Sequence, residues 1–196
     1  MVTKKTKLSP AQLEDVQSRM YEYMSAEDLK RYFPDNADPN PIIKYNELAN
    51  LNSIYDILPT DKSFKVILYE SQHNVGHWTV ISRNGPIIYY FDSYSNKPDG
   101  ALRYIKAAMK KLLGQDRNYL TELLQPERLK GRKLAWNDNR LQSVKNQSGT
   151  CGRWVILWLL CNLNFKMDLE EFESFIDHHK SRLGLSRDEL VTHWVT

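Results

Sequence analysis

The stretch HWTVISRNGPIIYYFD, residues 77–92, contains an Asn-Gly pair between two runs of β-branched and aromatic residues. Such a pair is a strong signal of a two-residue hairpin loop, because both central residues of a type I′ turn need positive φ. If Arg83 and Pro86 flank this loop, His77 lies directly opposite Asp92, with Cβ atoms about 4.5–5.5 Å apart. Turn geometry alone therefore predicts a histidine and a carboxylate side by side at the open end of a hairpin.

Both arms of this hairpin are apolar on both faces. Successive side chains of a strand point to opposite faces, so each arm divides into two sets. One predicted face carries Trp78, Val80, Ile87, Tyr89 and Phe91, and the other carries Ile81, Ile88 and Tyr90. The hairpin is therefore predicted to be covered on both sides, as buried strands are. At its end, His77 and Asp92 are either the base and orienting carboxylate of a catalytic site or a structural polar pair.

The run RWVILWLLCNL, residues 153–163, follows the first of the two cysteines of the chain. It is apolar around most of its helical circumference, which predicts a buried central helix with Cys151 at its N-terminus. There the helix dipole and unpaired N–H groups lower the pKa of a thiol, and Gly152 lets a substrate backbone approach closely. Cys151 is thus a candidate nucleophile; the alternative is a small buried core residue, which is the role predicted for Cys161.

Flanking patterns are helical. Ser9, followed by Pro10 and Gln12, predicts a capped helix that continues to about Met24. Further strands are predicted at 64–70 and around 133–138, from β-branched and aromatic residues. The predicted fold class is α+β, a small central mixed β-sheet flanked by helices. We predict one domain over 1–196, with N-terminal helices in 1–33, a catalytic core in 42–160 and C-terminal helices in 168–196.

Composition narrows the function classes. With 41% hydrophobic and 26% charged residues over 196 positions, the chain is expected to form a globular domain without disulfide staples. The basic N-terminus has no apolar stretch behind it, and the longest apolar run is too short to span a bilayer. We therefore expect an intracellular protein that is not secreted, does not enter a membrane and is a monomer.

Metal and nucleic-acid sites receive little support. His73 and His77 are separated by residues at a strand entrance and share no helical face, so no zinc site is expected. No cofactor is expected either. The basic stretch RLKGRK, residues 128–133, is a candidate for weak nucleic-acid contact, although a solvated loop is the simpler interpretation.

Four elements, GHWTVI, FDSYSNKPD, NRLQ and TCG, occur in this order within residues 42–160. Together they resemble the adenain-like cysteine proteases, the maturation endopeptidases of adenoviruses and related DNA viruses. The pattern is most similar to the proteases of virophages, large DNA viruses and polinton-type elements, and more distantly to SUMO proteases. The order His, Asp, Cys differs from that of papain-type enzymes, in which the cysteine comes first.

This resemblance implies that His77 is the general base, Asp92 its orienting residue and Cys151 the nucleophile. It also implies that Trp78 packs beside the site and that a glutamine before the cysteine completes the oxyanion hole. Gln142 follows NRL, as the glutamine does in the family, but lies nine residues before Cys151, a slightly longer gap than expected. Gln142 is preferred, and Gln147 remains open.

The predicted activity is that of a cysteine endopeptidase that matures viral capsid or other virion precursor proteins, cutting after small residues such as glycine. Its expected location is the host cytoplasm or viral factory and the interior of the virion. Two alternatives remain open: a deubiquitinase-like or SUMO-protease-like enzyme acting on host conjugates, and an inactive binding module that has kept the fold.

Overall fold

A computed structural model describes residues 7–34, 38–145 and 148–196. Over these residues five strands form one sheet in the order β1-β2-β3-β4-β5. They are β1 (Ile42–Lys44), β2 (Phe64–Gln72), β3 (Val75–Asn84), β4 (Ile87–Phe91) and β5 (Lys133–Trp136). The three central strands are antiparallel, whereas β1 and β5 pair with their neighbours in parallel. The predicted small mixed sheet is confirmed, and β1 is a strand that the sequence patterns did not predict.

Helices precede and follow the sheet and lie on both of its faces. They are α1 (Pro10–Arg19), α2 (Ala26–Arg31), α3 (Ala107–Leu112), α4 (Tyr119–Leu129), α5 (Cys151–Phe165), α6 (Leu169–Leu183) and α7 (Arg187–Trp194). Short 3₁₀ turns span Tyr45–Asn50, Ile54–Asp56 and Gly100–Tyr104. The α+β prediction is therefore confirmed. In the part of the chain that the structure describes, no helix has the length and apolar character needed to cross a bilayer.

Two hydrophobic cores lie on opposite faces of the sheet. Trp78, Val80, Tyr89 and Phe91 belong to the core that contains α5, with Ile87 packed against it. Ile81, Ile88 and Tyr90 belong to the core that contains the 3₁₀ turns and α4. The division of the hairpin into two covered faces is confirmed. The period-two alternation of side chains along a strand was sufficient to predict this division. Each face is buried by a different set of helices and turns.

The hairpin register differs from the prediction by two residues. Arg83 pairs with Ile88 rather than with Pro86, and Asn84 pairs with Ile87. The residue that closes a two-residue loop donates its N–H across the turn, and Pro86 has no N–H to donate. Gly85, with φ of 59°, instead takes the first central position, as in a type II′ turn. A shift of two residues keeps every side chain on its predicted face.

Helix α5 is the buried centre of the first core, as predicted. Most of its residues, from Cys151 to Asn162, are buried. The Trp158 ring stacks on Phe91 with centroids 5.4 Å apart and meets Phe172 of α6 edge-on. Fully buried aromatic side chains of this kind each remove 150–250 Å² from water, on general grounds. Cys151 therefore lies at the start of a helix that tight packing holds in place.

The first helix is shorter than predicted. Ser9 caps α1 through a complete capping box with Gln12, as the sequence indicated, but the helix ends at Arg19 rather than near Met24. Beyond it, three backbone carbonyls accept hydrogen bonds from other elements: Met20 from Gly149 N–H, Glu22 from Arg153, and Met24 from the Trp78 indole. These tertiary bonds replace helical ones and bring the segment 20–24 across the start of α5.

Candidate active site

The start of α5 places Cys151 at the edge of the first core. Cys151 is 5% exposed, and the next residues along the helix are buried. Thr150 occupies the cap position, but its side chain makes no capping hydrogen bond and its backbone is helical, with φ of −87° and ψ of 0°. The first N–H groups of the helix are therefore not taken by the cap side chain.

His77 lies near the start of β3, directly before Trp78, and its ring interacts with both Asp92 and Cys151. Its Nε2 is 2.8 Å from Oδ1 of Asp92, and because a carboxylate only accepts, Nε2 carries the proton of this bond. The Tyr94 ring covers the imidazole at a centroid distance of 4.9 Å. The predicted proximity of His77 and Asp92 is thus present, reached diagonally rather than by direct cross-strand pairing.

Gly76 lets β3 approach β2 just before His77. A Cβ at this position would lie 1.9 Å from the Tyr69 carbonyl oxygen, much closer than any real contact. The pairing of β2 with β3 is also irregular here, between Glu70 and Gln72. Only glycine fits this close approach, so the residue fixes the path of the strand that carries His77.

Asp92 is fully buried and held from several sides. Its carboxylate accepts the Tyr94 N–H and the Asn96 side-chain amide, each at 2.8 Å, in addition to His77. The Asn137 side chain bonds to both backbone polar groups of Asp92, accepting its N–H at 3.1 Å and donating to its carbonyl at 2.8 Å. These bonds fix the carboxylate, and the carboxylate fixes the ring direction and tautomer of His77.

The Cys151 sulfur and the His77 ring lie close enough to shift each other's pKa. Burial raises the pKa of the Cys151 thiol, but the hydrogen bond and charge of His77, with the N–H groups of Trp78 and Gly152, outweigh it and bring that pKa below its ordinary value. Burial lowers the pKa of His77, but the charge and hydrogen bond of Asp92, together with Cys151, raise it to about 10. Between these two pKa values the pair is a thiolate beside an imidazolium.

Cys161, on the same helix, shows the opposite environment. It is 4% exposed, and burial alone raises the pKa of its thiol to about 11. The two cysteines thus share a helix and a degree of burial but differ in their polar neighbours. This contrast supports the assignment of Cys161 to the core, as predicted.

Gln142 is buried near the start of α5 with its amide fixed at both ends. Its Oε1 accepts the Ser93 hydroxyl at 2.7 Å, and its Nε2 donates to the Ser148 carbonyl at 2.6 Å, with the Ser148 hydroxyl at 3.5 Å. Both contacts of Nε2 are to Ser148, and the one to the hydroxyl is the longer, so a substrate oxyanion would replace that contact. Its oxyanion role stays a prediction, and Gln147 lies outside the described residues.

Trp78 and Gly152 contact each other beside the nucleophile. A Cβ on Gly152 would lie 3.4 Å from the Trp78 ring and 3.0 Å from Met24 Cβ. The missing side chain therefore makes room for parts of the protein itself, and the predicted contact with substrate backbone is still a prediction.

The structure brings together the predicted residues His77, Asp92, Cys151, Gln142, Trp78 and Gly152. It adds residues that sequence reasoning missed: Met24, Tyr94, Asn96, Asn137 and Asp188. FDSYSN places Tyr94 and Asn96 within four residues of Asp92, which is a signal that could have been used. Asn137 is 45 residues from Asp92 in the chain, and no local pattern indicates their contact.

Two further predictions concern metal-binding groups and the basic stretch 128–133. Among residues 7–34, 38–145 and 148–196, no group of three or more His, Cys, Asp or Glu side chains could hold a metal ion. In the basic stretch 128–133, Lys130 and Arg132 both pair with the carboxylate of Glu127. Part of its charge is thus balanced within the protein, and nucleic-acid contact stays a prediction.

No family model matches the chain. A match of 35% identity over 153 residues connects it with the uncharacterized protein V9 of the Sputnik virophage, covering 77% of this chain and 83% of that protein.

Similar solved structures include the C-terminal Ulp1 protease domain in complex with Smt3, the yeast ortholog of SUMO. It is 14% identical, covers 98% of this chain and 97% of its own, and has a TM-score of 0.39. Ulp1 with its catalytic cysteine oxidised to a sulfenic acid has 15% identity, the same coverage and a TM-score of 0.41. ChlaDub1 from Chlamydia trachomatis has 14% identity, coverage of 91% and 80%, and a TM-score of 0.31. TM-scores this low carry no argument about activity, which rests on the site geometry.

Proposed function

The chain belongs to the same family as protein V9 of the Sputnik virophage, and we propose that it is a cysteine endopeptidase. One observation carries this proposal: the imidazole of His77 bonds to buried Asp92, at 2.8 Å, and lies beside the Cys151 sulfur at a helix start. A nucleophile, a base and an orienting group in this sequence are the arrangement that activates a thiol for acyl transfer.

In the proposed mechanism, the Cys151 thiolate attacks a substrate carbonyl carbon and forms a carbon–sulfur bond. The oxyanion that develops accepts hydrogen bonds from the backbone N–H of Cys151 and from the side-chain amide of Gln142. When the intermediate collapses, the carbon–nitrogen bond breaks and the His77 imidazolium gives its proton to the leaving amine. Water, deprotonated by His77, then attacks the thioester and releases the acid and the cysteine.

Asp92 takes no proton in this sequence. Its role is to keep Nε2 of His77 protonated and directed away from the sulfur, so that Nδ1 faces Cys151. The hydrogen bonds from Tyr94 and Asn96 prevent the carboxylate from rotating out of this position, and the Asn137 side chain holds the Asp92 backbone. Complete burial of Asp92 strengthens its attraction to the imidazolium.

The proposed substrates are capsid or other virion precursor proteins, cut after small residues such as glycine. The preference for a small residue is the one that the resemblance implies, and Met24 and Trp78, which pack against Gly152 next to Cys151, are the side chains that would limit substrate size. Support for a viral setting comes from the relative in a virophage. The proposed location follows from these substrates: the host cytoplasm or viral factory, and the interior of the virion.

Cleavage of a purified capsid precursor, compared with that of a fluorogenic substrate carrying a ubiquitin-like C-terminus, tests the activity and the substrate class. Cys151→Ala is expected to lower the cleavage rate by about 10⁴-fold, since the nucleophile is removed. Cys161→Ala is the matched control on the same helix and is expected to cleave within about two-fold of wild type. Equal rates for the two variants would exclude Cys151 as nucleophile.

The other outcomes also separate the alternatives. If only the ubiquitin-like substrate is cleaved, the chain is a cysteine protease that acts on ubiquitin-like conjugates and not on virion precursor proteins. If neither is cleaved and iodoacetamide at mildly acidic pH labels Cys151 no faster than an ordinary thiol, the chain is an inactive binding module.

A further inference from the structure

Asp188, in the first turn of α7, is buried against the start of α5. It is 3% exposed, and its carboxylate accepts four hydrogen bonds: from Thr150 Oγ1 at 2.7 Å, Trp154 Nε1 at 3.2 Å, Ser143 N–H at 2.9 Å and Ser148 Oγ at 3.2 Å. The donors come from α5 and from both sides of the segment that leads to Cys151. One side chain thus connects three parts of the chain next to the nucleophile.

Both carboxylate oxygens of Asp188 must act as acceptors for these four donors. Thr150 and Trp154 bond to Oδ1, whereas Ser143 and Ser148 bond to Oδ2. A carboxylate accepts at both oxygens, but an asparagine would turn an NH₂ group toward one of these pairs. The Ser143 backbone N–H cannot reverse its direction, so an amide at this position leaves a buried donor without a partner or displaces it.

The bond to Thr150 has a consequence for the start of α5. At α1, α2, α6 and α7 the cap side chain has an extended backbone and accepts an N–H of the first helical turn. At α5 the Thr150 hydroxyl donates to Asp188 instead, and the backbone N–H of Gly152 contributes to the stabilisation of the Cys151 sulfur. The Thr150 hydroxyl is thus turned toward Asp188 and makes no capping bond to the first N–H groups of α5.

Asp188 also acts on the segment that holds Gln142. Gln142 donates to the carbonyl of Ser148, whose hydroxyl is bound by Asp188. The residue after Gln142, Ser143, is held by the other hydrogen bond to the same oxygen. The orientation of the proposed oxyanion donor is thus coupled to this carboxylate through one residue on each side.

We propose that Asp188 is a positioning residue for the reaction: it binds the Thr150 hydroxyl and holds Ser143 and Ser148, so that the first N–H groups of α5 and the Gln142 amide face the reacting atoms. This inference rests on the proposed function, since it assigns how the nucleophile and the oxyanion donors are arranged. Asp188 touches neither substrate nor sulfur and acts through other residues.

The test compares Asp188→Asn with Asp177→Asn in the full chain. Asp177 is the matched control, because it undergoes the same change on the neighbouring helix α6, where it pairs with Arg187 at 2.8 Å. The rate of alkylation of Cys151 by iodoacetamide is measured against pH, with peptide mass spectrometry to separate Cys151 from Cys161. Cleavage kinetics are measured with the substrate that wild type cuts.

Asp188→Asn is expected to slow alkylation at mildly acidic pH by about ten-fold and to move the alkylation midpoint to higher pH. It is expected to lower kcat by about the same factor with KM within about two-fold, because ground-state binding is unchanged. Asp177→Asn is expected to match wild type in both measurements. If the two variants share one alkylation profile, Asp188 has no positioning role.

A second pair of variants decides the matter if Asp188→Asn does not fold. Thr150→Ser keeps the hydroxyl that Asp188 binds, whereas Thr150→Val removes it at similar volume. The proposal expects wild-type alkylation for the serine variant and slower alkylation for the valine variant; equal profiles would overturn it. The wild-type profile tests the proposed function by itself, so failure of that function is seen before any variant is compared.

Discussion

The starts of α5 and α7 touch each other but are built in opposite ways. At α7, Ser186 accepts the Glu189 N–H at 3.2 Å, and Glu189 accepts the Ser186 N–H at 2.7 Å, so two N–H groups are satisfied. At α5, the Thr150 side chain makes no capping bond. The α7 start is a stability device, whereas the α5 start keeps its N–H groups available for an anion, which here is a thiolate.

The α5 start lacks the stabilisation that a side-chain cap provides. A Ser or Thr cap contributes about 1 kcal/mol to helix stability, and α5 lacks this contribution. The packing of α5 in the first core compensates, since Trp154, Val155 and Trp158 are fully buried and each buried side chain of this size contributes about 1.5–3 kcal/mol. A helix with this much burial does not depend on its cap, so its first turn is free for chemistry.

Among substitutions that keep the catalytic side chains, the largest effect is expected from displacing His77, the partner that makes the α5 start reactive. Gly76→Ala introduces a Cβ that would lie 1.9 Å from the Tyr69 carbonyl, so β3 moves away from β2 and takes His77 with it. We expect cleavage to fall by about 10²-fold or more, as for a displacement of about 1 Å at a catalytic group. Thermal unfolding is expected to show a loss of about 1–3 kcal/mol from overpacking.

Gly85→Ala provides the control for this substitution. Gly85 has φ of 59°, and no atom lies within 4 Å of the position that a Cβ would take, so alanine there is strained but meets no neighbour. A loss of about 1–2 kcal/mol is expected from the left-handed backbone, with the cleavage rate per folded molecule unchanged. Equal loss of activity in both variants would show that the position of His77 does not depend on the β2–β3 approach.

The next effect is the pH dependence of cleavage. It arises from the thiol at the start of α5 and its partner His77, and the Ser186 cap at the start of α7 has no part in it. Because the pKa of Cys151 is lowered and that of His77 is raised to about 10, the thiolate–imidazolium pair exists between these two values. Activity is expected to fall about ten-fold per pH unit below the Cys151 pKa, where the thiolate is protonated. It is also expected to fall above about pH 10, where His77 loses its proton.

A pH–rate profile of kcat/KM measures both limits. A single rise centred near the ordinary thiol pKa of about 8.5, with no alkaline decrease below the unfolding range, would contradict the ion pair. His77→Gln tests the contribution of the imidazolium directly. Without it, the midpoint of Cys151 alkylation is expected to move to higher pH.

Local sequence signals account for the parts that follow local rules. The cap at Ser9 needs only a residue three positions later, and the cap at Ser186 is of the same kind, so both were predictable. The two faces of the hairpin followed from alternation. The helix of Cys151 followed from its apolar circumference, which does not depend on where its neighbours lie.

What the sequence could not predict depends on contacts between distant residues. The hairpin register was wrong because Pro86 was assigned a position that needs an N–H, and this error lay within reach of sequence reasoning. The end of α1 at Arg19 depends on Gly149, Arg153 and Trp78, which no pattern in the first helix contains. Asp188 is 38 residues from Thr150, and its four donors come from separate segments.

The smallest expected effect comes from the α7 side of the comparison. Ser186→Ala removes the cap of α7 but leaves Asp188 in place, two residues further on. We expect a loss of about 1 kcal/mol, which lowers Tm by about 2–4 °C in a chain of this size. Ser9→Ala, which removes the matching capping box of α1, is the control and is expected to cost about as much. In both variants the alkylation profile of Cys151 is expected to stay that of wild type, because the Ser9 and Ser186 hydroxyls bond within their own helix starts. A shifted profile in Ser186→Ala alone would mean that the first turn of α7 holds Asp188 in place, and the two helix starts would then have to be treated as one unit.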